Sequence, residues 1–327
     1  MPPLKSIDNS RGCGQNRKKE LKNVLEKIKF ALELSGRKFV VLHYPAKHRD
    51  RSIDIVAIRD NESEIIRVKL SARVSREESK DLIRASKALD AVPMIVTNDP
   101  ELYDNIVYEK EGVYVINDRT FENLYLRPNE LITLYKKGDL YVSLNKENFR
   151  KLRSKLKLTI GDVAFKTGIS RRTIYSYERE GGIITIETAE RLLEVFGEEV
   201  IQTVNLKVMR GEFRRKHKEI SETCNKELLL RIRKYFSGKV YEIKKSAPDF
   251  IVSSEDEVAV YVDAVLNKRK YTLRDLIRKT IESIKLSDIL KKSTAGIMLS
   301  STNEEVIKDE LSSYVDMNKV NIIKISD

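Results

Sequence analysis

The feature that most constrains this chain is the closely spaced run from Leu158 to Gly197. Thr159 precedes Ile160–Thr167, Gly168 follows it, and Ser170 precedes Arg171–Glu180. A hydroxyl at Thr159 or Ser170 can accept an orphan N–H in the first turn of a helix. Gly168 supplies the positive φ that a tight turn between two helices needs. Ala164 faces a helix crossing too close for a larger side chain, and Ile169 plugs the core beside it. Phe149, Leu152 and Leu156 predict a preceding helix with one apolar face. Thr185 caps a following helix whose Ala189, Leu192, Leu193 and Phe196 close the bundle before Gly197 ends it. Ile174 and Tyr177 point inward, which leaves Arg171, Arg172, Tyr175 and Ser176 on the outer side of 171–180.

Charge gathers on the same stretch. Between Lys146 and Glu180 there are ten Lys/Arg and four Asp/Glu, so half of the formal net charge of +12 sits in this segment. A sequence pI near 9.4 favours a polyanionic partner. No run of eighteen apolar residues predicts a membrane span, and the first twenty residues lack an apolar secretory core. A cytoplasmic protein with no membrane partner is therefore expected. Cys13 and Cys224 are too few and too far apart for a disulfide framework or a zinc knuckle. His43, His48 and His217 are scattered, and no glycine-rich phosphate loop is present. Neither a metal site nor a cofactor is expected.

The flanks predict α/β structure on both sides. Residues 1–17 have no periodicity and predict a flexible arm. In 18–126, Leu21, Leu25, Ile28 and Leu32 recur at helical spacing. Strands are expected at Phe39–His43, Ile53–Ile58, Glu64–Leu70, Val92–Thr97 and Val113–Ile116, with a helix at Glu77–Leu89. The order returns in 220–327: a helix at Leu228–Phe236, strands at Lys239–Ile243, Asp249–Val252 and Val258–Val265, a helix at Leu273–Leu290, and strands at Ile297–Leu299 and Val320–Ile325. Asp54 precedes Arg67 and Lys69 much as Asp249 precedes Tyr261 and Asp263, provided that the second hairpin loop is one residue shorter. A duplicated α/β domain is expected. Residues 127–144 predict a β-hairpin linker around Lys-Lys-Gly-Asp. Residues 201–219 predict a basic linker, either solvated or running into a phosphate field.

The run Leu158-Thr159, Val163-Ala164, Gly168-Ile169-Ser170, Ile174, Tyr177-Glu178, Glu187-Thr188-Ala189, Leu192 and Phe196-Gly197 resembles the phage-repressor/Cro-type, or XRE-like, helix-turn-helix over 145–200. It departs from the family in having Ile160 where a phosphate-touching glutamine is usual. The resemblance implies that Arg171, Arg172, Ser176 and Tyr175 read base edges, arginine being able to pair bidentately with guanine. It also implies that Thr159, Thr173, Arg150, Lys151, Arg153 and Lys155 hold phosphates.

Asp54 followed by Arg67-Val68-Lys69 resembles a PD-(D/E)xK nuclease-type, or restriction-endonuclease-like, domain with the second carboxylate replaced by arginine. Two carboxylates normally hold the divalent cation there, so a guanidinium beside Asp54 implies no metal and no catalysis. In 220–327 Asp249 remains, but Tyr261 and Asp263 stand for the pair and the lysine is lost. The expected fold class is therefore an all-α helix-turn-helix between two degenerate α/β nuclease-like domains. The hairpin at Ile132–Leu144 leading into Phe149-Arg150-Lys151-Leu152-Arg153, with Ser170–Tyr175, resembles an archaeal family of helix-turn-helix transcriptional regulators. That resemblance implies a cytoplasmic DNA-binding role; together with the helix-turn-helix resemblance, a homodimeric, sequence-specific regulator with helix 171–180 in the major groove of double-stranded DNA is expected. The alternatives are a factor that binds structured RNA or a ribosomal subunit through the same basic faces, and a metal-dependent nuclease. The basic loop of Lys47, His48, Arg49 and Arg51 beside Asp54 fits either retained duplex affinity or a solvated surface.

Overall fold

The computed structural model describes residues 10–218, 229–230, 232–254, 257–263, 272–290, 293–300 and 304–325. The chain opens with α1 (Ser10–Leu34), whose Ile28 and Leu32 are wholly buried. The expected flexible arm is therefore corrected over 10–17, which is helical; residues 1–9 lie outside the described residues.

β1 (Lys38–Val41), β2 (Ile55–Arg59) and β3 (Glu62–Lys69) form an antiparallel run. A parallel neighbour needs a crossover, and α2 (Arg76–Leu89) provides it, carrying the chain to β4 (Val92–Thr97) beside β3. Every residue of β4 is buried. That is why it reads as an uninterrupted apolar run, since a strand covered on both faces has no need to alternate. β5 (Ile106–Lys110), β6 (Val113–Asn117) and α3 (Asp118–Leu126) complete this part, with β6 parallel to β4. β5 and α3 were not anticipated.

β7 (Thr133–Lys136) and β8 (Asp139–Leu144) form the expected hairpin, turning through Lys137 and Gly138, both at positive φ. Such a turn matches the twist of its flanking strands. The hairpin is not a free linker, however. β7 runs parallel to β5, so the same sheet continues through it to β8. β8 in turn pairs with β9 (Gly182–Thr185) and β10 (Ile201–Gln202). Between these strands lie α4 (Lys146–Lys155), α5 (Ile160–Thr167), α6 (Arg171–Glu180) and α7 (Ile186–Phe196). The helical bundle is thus clipped to one edge of a ten-stranded sheet.

The expected basic linker is also corrected. α8 (Leu206–Lys216) buries Leu206, Met209 and Phe213 against the first sheet. Arg210 and Arg214 both grip Asp90, the residue that ends α2. These arginines hold α8 to the first domain instead of reaching into a phosphate field.

The second sheet contains β11 (Lys239–Glu242), β12 (Phe250–Ser253), β13 (Val258–Asp263), β14 (Ser293–Ser300) and β15 (Asn321–Ile325). α9 (Leu273–Ile289) crosses from β13 to β14, and α10 (Glu304–Ser312) precedes β15. Its order, two antiparallel steps and then two parallel ones, repeats that of β1-β2-β3-β4-β6. The register differs from the sequence reading. Asp54 N donates to Ile66 O at 2.9 Å, and Asp249 N donates to Tyr261 O at 3.0 Å. Asp54 Oδ2 accepts from Val68 N at 2.8 Å, and Asp249 Oδ2 accepts from Asp263 N at 3.0 Å. Tyr261 and Asp263 therefore match Ile66 and Val68, and no shortened loop is needed. Val262 and Ala264 fall opposite Arg67 and Lys69. Ala264 lies outside the described residues, as do Leu228 and Arg231 of the helix expected at Leu228–Phe236 and the last residues expected in Val258–Val265. Tyr261, expected to replace a metal ligand, stacks in the core on Phe250 with centroids 5.7 Å apart.

The two α/β units share one apolar core. α2 packs on β3 and β4 and also on β11 and β12, while α9 packs on β13 and β14 and also on β1. Each helix offers a buried carboxylate to the other unit. Asp81 of α2 accepts from Lys245 N at 2.8 Å and Lys244 N at 3.1 Å; Glu282 of α9 accepts from His43 N at 2.8 Å and Tyr44 N at 3.1 Å. A buried backbone donor needs a partner, and these carboxylates satisfy two donors in each neighbouring unit.

Candidate nucleic-acid interface

The bundle's local order follows from its caps. Thr159 Oγ1 accepts from Asp162 N at 3.1 Å while Asp162 Oδ2 accepts from Thr159 N at 2.8 Å, a reciprocal capping box at the start of α5. Gly168 ends α5 at φ +66°, the left-handed conformation that the turn requires. Ser170 Oγ accepts from Thr173 N at 3.1 Å at the head of α6, and Thr185 Oγ1 accepts from Thr188 N at 3.3 Å at the head of α7. Phe149, Val163, Ile174, Ala189, Leu192 and Phe196 form the buried centre, with Phe149 and Phe196 edge to face at 5.1 Å. Val142, Leu144 and Ile184 of β8 and β9 join that centre, so sheet and bundle share it.

Arg171, Arg172 and Tyr175 stand exposed on α6, and Ser176 is half-buried. The Arg171 guanidinium lies over the first turn of α5: a Cβ on Gly161 would come 3.2 Å from its Nη2. One basic group thus touches both helices of the motif, next to Ile160, where the family's bracing glutamine is missing. Arg150, Lys151 and Lys155 are exposed on α4.

Two residues expected to contact phosphates, Arg153 and Thr159, are engaged within the bundle. Arg153 is turned inward, its guanidinium clasping Glu178 of α6 and donating to Leu158 O at 2.7 Å. It ties α4 to α6, and its pKa is raised chiefly by the hydrogen bond to Glu178. Thr159 Oγ1 donates to Asp162 Oδ2 at 2.7 Å, so its proton is committed. Thr173 Oγ1 lies 2.8 Å from Ser170 Oγ and is half-buried. Leu156, expected on the buried face of the first helix, is instead 48% exposed. It is the C-terminal cap of α4, its N–H donating to Leu152 O at 2.9 Å.

The second candidate region lies where β2, β3 and α2 meet. Asp54 is buried, and Arg67 Nη1 donates to its Oδ2 at 2.6 Å. Arg67 Nε donates to Glu78 Oε1 at 3.1 Å, and Lys69 Nζ donates to Glu78 Oε2 at 2.8 Å. The guanidinium therefore bridges two carboxylates, the place a divalent cation would take in a nuclease centre. His48 Nε2 lies 3.2 Å from Asp54 Oδ1, and Arg51 Nη1 lies 3.6 Å from it. Burial would raise the Asp54 pKa; His48, Arg67 and the Val68 N–H outweigh it and hold the carboxyl below its ordinary value. Lys47 and Arg49 of the basic loop are exposed, whereas His48 and Arg51 are turned towards this cluster.

These residues do not fit a metal. Entry of one would require expelling a hydrogen-bonded guanidinium from between the ligands. Among the described residues no group of three or more His, Cys, Asp or Glu is arranged to hold a metal ion. Glu78 was missed by sequence reasoning. Ser75-Arg76-Glu77-Glu78 reads as a capping box, and Ser75 Oγ does accept from Glu78 N at 3.2 Å, but the Glu78 carboxylate turns to Arg67 and Lys69.

In the second unit the balance is inverted. Lys279 of α9, three residues before Glu282 as Glu78 is three before Asp81, donates to Asp249 Oδ1. Lys279 is wholly buried and lies 4.5 Å from the centroid of the Tyr44 ring, in the first unit. The cation on the aspartate comes from the strand in one unit and from the helix in the other.

The PD-(D/E)XK superfamily domain matches residues 19–131, and a helix-turn-helix domain matches residues 149–200. A protein of Sulfurisphaera tokodaii named "Putative HTH-type transcriptional regulatory protein" is 27% identical over 301 residues, 90% of this chain and 97% of that protein. Like-named proteins of Aeropyrum pernix and Thermococcus gammatolerans are 25% identical over 302 residues (89% of each chain) and 29% identical over 204 residues (62% of this chain, 64% of that one). No solved structure matches the chain significantly. Among the described residues no helix is long and apolar enough to cross a membrane. The chain joins a PD-(D/E)XK superfamily domain to a helix-turn-helix domain, and over most of its length it is a homologue of archaeal proteins that bear the name of helix-turn-helix regulators.

Proposed function

We propose that this protein is a cytoplasmic, DNA-binding transcriptional regulator that reads double-stranded DNA by placing α6 in the major groove. Arg171, Arg172, Tyr175 and Ser176 would meet base edges, and Arg150, Lys151, Lys155 and Thr173 would meet phosphates. The observation that carries the reading is the pair of exposed arginines at the head of α6, a helix held by its Ser170 cap and by the Arg153–Glu178 clasp. A helix fixed in this way loses little freedom when it docks, so arginine geometry can serve discrimination.

The two α/β units are a duplication of one nuclease-like fold that has lost its chemistry. Their matching strand order and the reciprocal Asp81 and Glu282 clamps support this. They pair within one chain and present the bundle from the far edge of the first sheet. A homodimer would set two α6 helices one DNA turn apart.

The test is crosslinking in cells followed by sequencing of both bound DNA and bound RNA. Discrete duplex sites sharing a short sequence support the proposal. Enrichment of ribosomal RNA without such sites overturns it.

A further inference from the structure

The shared core has two grooves, one beside each reciprocal carboxylate, and they are not alike. Next to Asp81 the groove has a volume of about 270 Å³ and is lined by Glu77, Lys80, Asp81, Arg84, Lys244 and Lys245. Four cations face two carboxylates there, and two of the cations are paired, Arg84 Nη1 lying 3.8 Å from Asp81 Oδ1. Lys245 Nζ pairs with Glu77 Oε2 at 2.5 Å, and Arg84 Nη1 donates to Glu242 O at 3.3 Å.

Next to Glu282 the corresponding groove has a volume of about 990 Å³. Counted from the two carboxylates, Arg278 stands where Glu77 stands and Lys285 where Arg84 stands, while Tyr44 takes the position of Lys245. Arg274, Arg278 and Lys285 lie along one face of α9, and among the described residues none of them forms an ion pair. Arg51 lines the opposite wall with His43. Burial, then Arg51 and Lys285, and after them Arg278, hold the His43 imidazole below its ordinary pKa against the opposing pull of Asp54. The acidic counterweight is Glu310 and Glu282, and Glu282 is already spent on two backbone N–H groups. The remaining lining is apolar and aromatic: Leu273, Ile277, Ile281 and the exposed Tyr314.

We propose that this groove binds a phosphorylated small molecule with a planar or apolar body, of the nucleoside phosphate class. Its volume lies at the upper end of the range of small-molecule sites, about 300–1,000 Å³. Unpaired guanidinium groups suit phosphate oxygens, and the apolar wall with Tyr314 suits the body of the ligand. The groove is remote from the DNA-reading module. It opens at the β1 edge, and the bundle hangs from β8, seven strand spacings away, roughly 34 Å at about 4.8 Å each. The inference does not depend on what α6 binds.

The test is isothermal titration of the full chain with adenosine diphosphate, and with inorganic pyrophosphate as the bodiless comparison. Saturable one-to-one binding of the nucleotide, weakened by salt and tighter than that of pyrophosphate, is expected. Arg278→Glu, which puts a carboxylate where Glu77 stands in the other groove, should weaken the nucleotide at least tenfold. Arg274→Gln, at an exposed position that the fold does not need, should weaken it at least threefold. Lys80→Glu in the groove beside Asp81 should change it less than twofold. Absence of saturable nucleotide binding to the wild-type chain overturns the proposal, as does an equal loss in Lys80→Glu or no loss in Arg274→Gln. A short duplex that binds and loses affinity in Arg278→Glu, while the nucleotide gives no heat, also overturns it and assigns the groove to nucleic acid.

Discussion

Replacing Arg67 with alanine removes the cation that joins Asp54 to Glu78. In the native protein this side chain donates at 2.6 Å to Asp54, 3.1 Å to Glu78 and 2.9 Å to His48 O, and only 4% of it is exposed. Removing one partner of a buried ion network costs about 3–5 kcal/mol, because the other charges stay behind in a medium that solvates them poorly. The lower part of that range is expected here. His48 Nε2 at 3.2 Å and Arg51 Nη1 at 3.6 Å remain beside Asp54, and Lys69 at 2.8 Å remains on Glu78. For a cooperative unit of the size of the paired α/β domains, each kcal/mol shifts the melting temperature by about 2–4 °C. A fall of roughly 6–16 °C follows. Thermal unfolding followed by circular dichroism measures it. The same assay with manganese tests whether the guanidinium stands in for a cation. Arg67→Glu places three carboxylates beside Lys69, so it should be destabilised without metal. It should regain about 2.7 kcal/mol when the ion is a hundredfold above its Kd, while the wild type is unmoved. A loss below about 1 kcal/mol in Arg67→Ala, within the range of an exposed pair, would refute the reasoning, and so would a wild-type protein stabilised by manganese.

Acid should destabilise the fold through two carboxylates. Burial raises the pKa of each, but His48 and Arg67 hold Asp54 below its ordinary value, and Arg214 and Arg210 do the same for Asp90. Their stabilisation is fully present above the unfolded carboxylate pKa of about 3.9 and is lost as pH falls through the lower folded values; urea midpoints across pH 2–6 that rise on acidification would contradict this. Glu282→Ala orphans the His43 and Tyr44 N–H groups and should cost about 1–3 kcal/mol, read as a lower urea midpoint without loss of the bundle's helical signal. Supercoiled plasmid with magnesium or manganese should remain uncut by the wild-type protein; cleavage abolished by Asp54→Asn would show that the first unit is catalytic.

Local physics was the legible part. The caps Thr159, Ser170 and Thr185 and the turn at Gly168 each act within a few residues, and α5 and α6 span the residues that this chemistry implies. β4 was equally readable because full burial leaves an unbroken apolar run. What failed was non-local. The register of Asp249 against Tyr261 depends on hairpin pairing, and side-chain type at one spacing could not show that Val262, not Tyr261, faces as Arg67 does. Glu78 comes from a helix after the strand, so only the fold brings it to Arg67. α8 looked like solvated charge because its partner, Asp90, lies 120 residues earlier. Arg153 looked like a phosphate ligand because Glu178, 25 residues on, also looked solvated. In each case the charge was visible in the sequence and its neutralisation was not.

The central claim is that the arginines at the head of α6 read bases while those of α4 grip phosphates. It is tested most directly by the discrimination ratio, the affinity for a selected duplex over that for a scrambled one, at fixed salt. Arg171→Ala and Arg172→Ala should each lower that ratio by about 1–3 kcal/mol, roughly five- to 150-fold, with the loss confined to the preferred site. Lys151→Ala should weaken both duplexes alike and flatten the salt slope by about one unit. If both arginine variants lose affinity for the two duplexes equally and keep the wild-type ratio, α6 is not reading the groove.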